Sequence, residues 1–157
     1  MAEEKTNVMR ILDKAGVPYI PHGYQTEDGA IDAVSVAQKL GLPAEKVFKT
    51  LVTMGPKGIC VFVLPAAEEL DLKKAARAAG QKSVAMIHVK EINKYTGYIR
   101  GGCSPVGMKK KYPTFLDRSA AEQKTILVSA GRIGSQVEVS PEDLLRIVDG
   151  AYAELTF

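Results

Sequence analysis

Lys46-Val47-Phe48-Lys49-Thr50-Leu51-Val52-Thr53-Met54 reads as a β-strand, rich in β-branched and aromatic residues and bounded by Pro43 and by Gly55-Pro56. Side chains alternate across a strand, so Val47, Lys49, Leu51 and Thr53 share one face and Phe48, Thr50, Val52 and Met54 the other. Both faces are largely apolar, the pattern of an interior strand covered on both sides. Lys49 breaks that pattern. Burying an ammonium group without a partner costs on the order of several kcal/mol. Either its stem packs while its head reaches water near the strand end, or a carboxylate or an anionic ligand meets it.

Working outward, Gly55-Pro56-Lys57-Gly58 is a turn, and the fully apolar Ile59-Cys60-Val61-Phe62-Val63-Leu64 is the expected hairpin partner. Upstream, Asp32 is placed to cap a helix with Ala33, Val36, Ala37 and Leu40 on one stripe and Gly41 at its end. A short helical turn follows Pro43. An earlier helix spans 7–15, capped by Thr6, ended by Gly16, with Val8, Ile11, Leu12 and Ala15 as its apolar stripe. The two prolines of Val17-Pro18-Tyr19-Ile20-Pro21 force extended chain that continues toward Tyr24, and 25–30 is a polar loop.

Downstream, Asp71 caps a third helix that turns Leu72, Ala75, Ala76 and Ala79 inward and Lys73, Lys74 and Arg77 outward, with Gly80 closing it. A short strand at 83–87 and a helix at 88–95 precede an irregular stretch, 96–107. Strands are expected at 114–116, 125–130 and 136–139, with a turn at 131–134. Ser140 and Pro141 open the last helix, Glu142 and Asp143 suit its dipole, Gly150 ends it, and 151–157 adds an edge strand. Helices and strands are interspersed around a tight hairpin, which implies an α/β fold with a mixed sheet and helices around it.

A chain of 157 residues fits one domain, 1–157, that buries about two-thirds of its unfolded surface without staples. The net charge of +3 permits a polyanionic partner without demanding one. Two cysteines do not make a disulfide framework. The opening Met-Ala-Glu-Glu-Lys-Thr lacks a signal-peptide layout, and no apolar run nears the roughly 18 residues of a membrane span, so a cytoplasmic protein with no membrane partner is expected.

Chemistry has few places to sit. His22 and His88 have no Cys or His at ligand spacing, so no metal is expected. No Gly-x-Ser-x-Gly elbow, P-loop or Gly-x-Gly-x-x-Gly fingerprint occurs, and no cofactor is expected. Cys60 lies in an apolar run. Cys103 lies in a glycine loop and needs an activating base to act as a nucleophile. Gly101-Gly102 and Ser129-Ala130-Gly131 allow main-chain N–H groups to approach an anion or oxyanion, or are turns that need positive φ. Arg100 and Lys109-Lys110-Lys111 are either phosphate contacts or a solvated face.

The ordered set Lys46-x-x-Lys49-Thr50-Leu51, Leu70-Asp71-Leu72-Lys73-Lys74, Thr96-Gly97-Tyr98-Ile99-Arg100-Gly101-Gly102-Cys103-Ser104-Pro105-Val106-Gly107, Pro113-Thr114-Phe115-Leu116-Asp117 and Val128-Ser129-Ala130-Gly131 resembles the YbaK/EbsC family of aminoacyl-tRNA deacylases along nearly the whole chain. That family is related to the editing domain of bacterial prolyl-tRNA synthetases. The resemblance implies a single α/β domain with a mixed barrel-like sheet, no metal, and removal of a wrong amino acid from tRNA. Within the family the sequence looks most like the branch that clears cysteine from tRNA(Pro), with prolyl-tRNA synthetase as a possible partner. It implies Lys49 as the essential residue, and Tyr24, Thr50, Gly101, Gly102, Ser129 and Gly131 around the substrate. Two departures bear on selectivity: Ile31-Asp32, where cysteine-specific members commonly carry a phenylalanine, and Gln136, where an aspartate is expected. The alternatives are a deacylase for alanine or serine on tRNA, and a non-catalytic module that binds tRNA or a synthetase.

Overall fold

The computed structural model describes residues 5–157; the first four residues of the opening stretch lie outside the described residues. The hairpin forms as expected. Strand β2 (Phe48–Gly55) runs antiparallel to β3 (Gly58–Pro65), with Lys49 opposite Leu64 and Gly55 opposite Gly58 around Pro56-Lys57. Every residue of β3 after Gly58 is buried. Its Ile59, Val61 and Val63 enter one apolar cluster, while Cys60, Phe62 and Leu64 enter another. That two-sided burial is why the strand is apolar at every position rather than at alternate ones.

Helix α1 (Asn7–Lys14) supplies Val8, Met9 and Leu12 to the first cluster, and α3 (Leu72–Ala79) supplies Ala75 and Ala76 to the second. Thr6, Asp32, Asp71 and Ser140 all cap their helices by accepting a backbone N–H. The expected stripes are off at their ends. Ala15 falls past the end of α1 and is exposed, Met9 takes an inward place, and Leu72, the first residue of α3, is 41% exposed. A single turn at a helix end has too little neighbouring structure to cover it.

The sheet is divided in two. Five strands lie in the order β4-β2-β3-β5-β8, where β4 is Ala85–Met86, β5 is Thr114–Asp117 and β8 is Ala151–Ala153. The β3–β5 and β5–β8 pairs are parallel and the others antiparallel, so this sheet is mixed. Three antiparallel strands form the other, β1-β7-β6, from β1 (Ile20–Gly23), β6 (Ile126–Ser129) and β7 (Ser135–Val139). They meet at a seam, where Val47 bridges Leu127 in parallel fashion and the Ala66 N–H donates to the Val47 carbonyl at 2.8 Å. Helix α2 (Ala33–Leu40) covers the seam with Ala37 against Val47, Ala66 and Leu127. Ile126, Val128, Val137 and Val139 join Phe48 and Val52 in one core, so the two sheets close on each other.

The expected helix at 88–95 is a 3-10 turn (Val89–Glu91) followed by α4 (Ile92–Thr96), and a further 3-10 turn spans Arg118–Glu122. Helix α5 (Pro141–Val148) ends on Asp149, not Gly150: Asp149 has φ 54°. Gly150 is small for another reason, since a Cβ there would lie 2.8 Å from the Thr114 carbonyl oxygen. Gly150→Ala is therefore expected to push β8 away from β5 and lower stability by about 1–3 kcal/mol. Urea denaturation checks this; an unchanged midpoint contradicts it.

Candidate active site

Strand β4 pairs only with Thr53 and Met54, so the Phe48–Leu51 half of the outer edge of β2 has no strand laddered to it among the described residues, although β6 runs close by from the Val47–Leu127 bridge. A cavity of about 480 Å³ opens there, within the size range of small-molecule sites. Phe48, Lys49, Thr50 and Leu51 form its floor. Ile31, Asp32, Ala33 and Val36 of α2 and its entry form one wall, and Arg100, Gly101 and Cys103 form another. Ser129 and Gln136, directly opposite each other across β6 and β7, close the end.

Lys49 is half-buried, and its Nζ donates to the Ala66 carbonyl at 3.1 Å. Burial pulls its pKa below the ordinary 10.5, while the carboxylates of Glu68 and Glu69 pull it back up. Ala66 is the residue whose N–H is fixed at the seam, so the seam also holds the lysine head. An ammonium has three donors, and two stay available to a ligand. Of the two sequence readings, a snorkelling head and a met one, this geometry favours a head held inside a cavity.

Polar groups around it lack partners. Thr50 Oγ1 and Gln136 Oε1, both on lining residues, are buried with no hydrogen-bond partner, as are Ser135 Oγ and Tyr24 Oη. Each such group costs about 1–3 kcal/mol if nothing ever meets it. Thr50 Oγ1 and Gln136 Oε1 face the cavity region, so a ligand bound there is placed to meet them. Ser129 Oγ accepts the Gly131 N–H at 3.1 Å and keeps its own proton to donate.

Of the residues singled out from the sequence, Lys49, Thr50, Gly101 and Ser129 line this one cavity. It places Tyr24, Gly102 and Gly131 outside the cavity lining. The Gly102 N–H donates to the Ile99 carbonyl, and a Cβ there would press on Arg132 and Ile133 at 3.0–3.1 Å. Gly131 has φ 96° and faces Val8 and Tyr98. The amides of these two glycines are thus spent on their own loops, and the turn reading describes them. Gly101, at φ 87°, has the Ile31 side chain leaning over it, 2.6 Å from where a Cβ would stand. This contact narrows the cavity between α2 and the 100–103 loop.

Sequence reasoning missed the contribution of α2, because Ala33 and Val36 read as ordinary core positions. It also missed Lys39. The Lys39 Nζ donates to the Gln25 and Ala30 carbonyls and to Asp28, and lies 5.9 Å from the Tyr24 ring centre, so it ties the loop bearing Gly29 and Ile31 to α2. Cys103 lines the cavity, but burial pushes its thiol up to about 11, so it is protonated at neutral pH and a poor nucleophile. His22 is held by Glu138 at 2.8 Å, and among the described residues no three His, Cys, Asp or Glu side chains gather as a metal site would require. No helix among them is long and apolar enough to cross a membrane.

The Lys49 environment predicts a pH signature. Its folded pKa lies below its unfolded one, so between the two the unfolded chain holds more protons and stability rises with pH. Lys49→Met has no such proton to lose. Its urea midpoint is expected to equal or exceed the parent's at neutral pH, with the difference shrinking as pH approaches 10.5. A difference that grows with pH contradicts the assignment.

The family model for the aminoacyl-tRNA editing domain matches residues 27–147. An Enterococcus faecalis protein, EbsC, whose name gives it a provisional assignment as a Cys-tRNA(Pro)/Cys-tRNA(Cys) deacylase, is 47% identical over 155 residues, covering 98% of this chain and 94% of its own. The proline–tRNA ligase of Shouchella clausii is 29% identical over 138 residues, which are 83% of this chain and 24% of the ligase. A crystal structure described, again provisionally, as a trans-editing enzyme for prolyl tRNA synthetase superposes with a TM-score of 0.82 at 24% identity, covering 98% of this chain and 99% of that one. Another, of a hypothetical protein, reaches 0.88 at 22% identity over 97% and 100%. At those identities the structural likeness is one of fold: a mixed α/β architecture shared from end to end. With one relative nearly half identical over its whole length, and a family match running from the loop before α2 into α5, the chain belongs to the aminoacyl-tRNA editing domain family.

Proposed function

We propose that the protein is a trans-editing deacylase that removes cysteine from mischarged tRNA(Pro), and that residues 1–157 act as a single editing domain. The observation that carries this reading is the half-buried Lys49 head among buried hydroxyl and amide groups that have no partner. An aminoacyl ester of a ribose supplies what those groups lack. Its hydroxyls and carbonyl meet Thr50, Ser129 and Gln136, and its oxygen takes a proton donor from Lys49. Tyr24, outside the lining, acts at one remove through Lys39, which ties the loop bearing Gly29 and Ile31 to α2.

An activated ester needs placement more than a strong base, and holding reactants in an attack geometry can supply about 7 kcal/mol or more. The thiol of the bound cysteine attacks its own carbonyl carbon. The carbon–oxygen bond to the ribose breaks, the thiol proton passes to the departing 3′ oxygen, and a cyclic thiolactone leaves. No protein nucleophile is required, in keeping with a protonated Cys103. Lys49 stabilises the charge that gathers on the ester oxygens, and the Gly101 backbone, bare of a side chain, lets the carbonyl come close. The narrowing by Ile31 favours a small side chain. The same narrowing accommodates alanine or serine, neither of which can cyclise through a thiol, so the chemistry separates them from cysteine. Prolyl-tRNA synthetase is the partner proposed to deliver the tRNA, on the strength of the shared domain in the Shouchella clausii ligase.

Single-turnover deacylation of Cys-tRNA(Pro) tests this. Lys49→Ala is expected to fold and to lose on the order of 100-fold or more in rate, while Cys103→Ser stays within about twofold. Full activity of Lys49→Ala removes Lys49 from the mechanism. Loss of activity in Cys103→Ser, with a covalent adduct seen by mass spectrometry, replaces it with a protein nucleophile.

A further inference from the structure

The cavity receives only the end of a tRNA; the rest of the acceptor stem must lie on the outside of the protein. Residues 88–112 carry six cations, Lys90, Lys94, Arg100, Lys109, Lys110 and Lys111, against one acid, Glu91. That surplus of five exceeds the net +3 of the whole chain, so the remaining residues are net negative. All six cations are exposed, and none enters an ion pair among the described residues.

The segment folds back on itself as one unit. The Lys109 N–H donates to the Thr96 carbonyl, Tyr98 Oη to the Val106 carbonyl, and Tyr112 Oη to the Tyr95 carbonyl. Lys109 Nζ reaches the Lys94 carbonyl at 3.4 Å, and Lys94 Nζ lies 5.2 Å from the Tyr95 ring centre. These bonds bring Lys94 of α4, with Lys90 in the turn before it, and the lysines of 109–111 onto one excursion of chain. Its middle supplies Arg100, Gly101 and Cys103 to a wall of the cavity. Ile99, 56% exposed beside Arg100, offers an apolar surface to a base at the cavity rim.

A second basic groove, between α3 and β8, is the competitor. It is lined by Lys74, Arg77 and Arg118, but Lys74 Nζ is bound to the Thr156 carbonyl at 2.6 Å and Arg118 lies 3.8 Å from Glu154. It also sits at the β8 edge of the five-stranded sheet, three strands away from β2 and the cavity.

We propose that the exposed face of residues 88–112 is the docking surface for the tRNA acceptor stem, with Lys90, Lys94, Lys110 and Lys111 on backbone phosphates and Arg100 on the phosphate nearest the 3′ end. This rests on the deacylase reading for its ligand. It predicts sequence-independent, salt-sensitive binding, because each phosphate contact releases counterions.

The test is fluorescence anisotropy of an uncharged acceptor-stem minihelix of tRNA(Pro), titrated at several salt concentrations. Lys110→Gln/Lys111→Gln and Lys90→Gln/Lys94→Gln are each expected to weaken binding about tenfold and to lower the slope of log affinity against log salt by about 2. Arg77→Gln/Arg118→Gln is expected to change neither. The proposal is overturned if the lysine pairs leave affinity and slope unchanged, if the α3–β8 pair is the one that matters, or if the parent protein does not bind the minihelix. Turnover of the same minihelix charged with cysteine is measured alongside. Binding that depends on the lysines without any turnover keeps the docking surface and rejects the deacylase.

Discussion

The structure depends on the seam at which Val47 bridges Leu127 and accepts the Ala66 N–H. Two sheets with different strand orders meet there, and each would otherwise end in an open edge beside the core. The seam fixes where β2 begins, and therefore where Lys49 sits. It also fixes Ala66, whose carbonyl takes one proton of the lysine head. A strand buried on both faces tolerates a cation only where the backbone itself supplies an acceptor and a cavity supplies room. Helix α2 completes the arrangement, with Ala37 against the seam and Ile31 and Ala33 in the cavity wall.

A second constraint is electrostatic. The cavity holds the half-buried Lys49, whose pKa burial lowers and the carboxylates of Glu69 and Glu68 partly restore. The unpartnered Thr50 and Gln136 groups are a standing cost, which the proposed ester substrate would remove. A neutral Cys103 in the same cavity is consistent with the proposed mechanism, in which the substrate's own thiol does the chemistry. The basic excursion of 88–112 then adds long-range attraction for a polyanion without placing further charge inside.

Much of this was legible in the residues. The hairpin follows from two apolar runs around Gly55-Pro56-Lys57-Gly58, and four helix starts follow from Thr6, Asp32, Asp71 and Ser140, because these signals act within a few residues. Lys49 stood out because a cation in a two-sided apolar strand is locally inconsistent. The split into two sheets was not legible. It rests on contacts such as His22 with Glu138, 116 residues apart, which leave no local trace. Nor could the sequence show that Gly102 and Gly131 spend their amides at home, since glycine marks a backbone requirement without saying which neighbour imposes it. Gly150 illustrates the same ambiguity: it reads as a helix end, and its real constraint is the Thr114 carbonyl.

The central claim is that placement around Lys49 lets the substrate's thiol do the bond-breaking. Cysteine and serine differ only in sulfur for oxygen, so the most direct measurement is the single-turnover rate of the parent protein on tRNA(Pro) charged with each. Rapid loss of cysteine is expected, with a rate for serine close to that of spontaneous hydrolysis. Equal rates for the two would contradict it and would point to an activated water in the cavity instead.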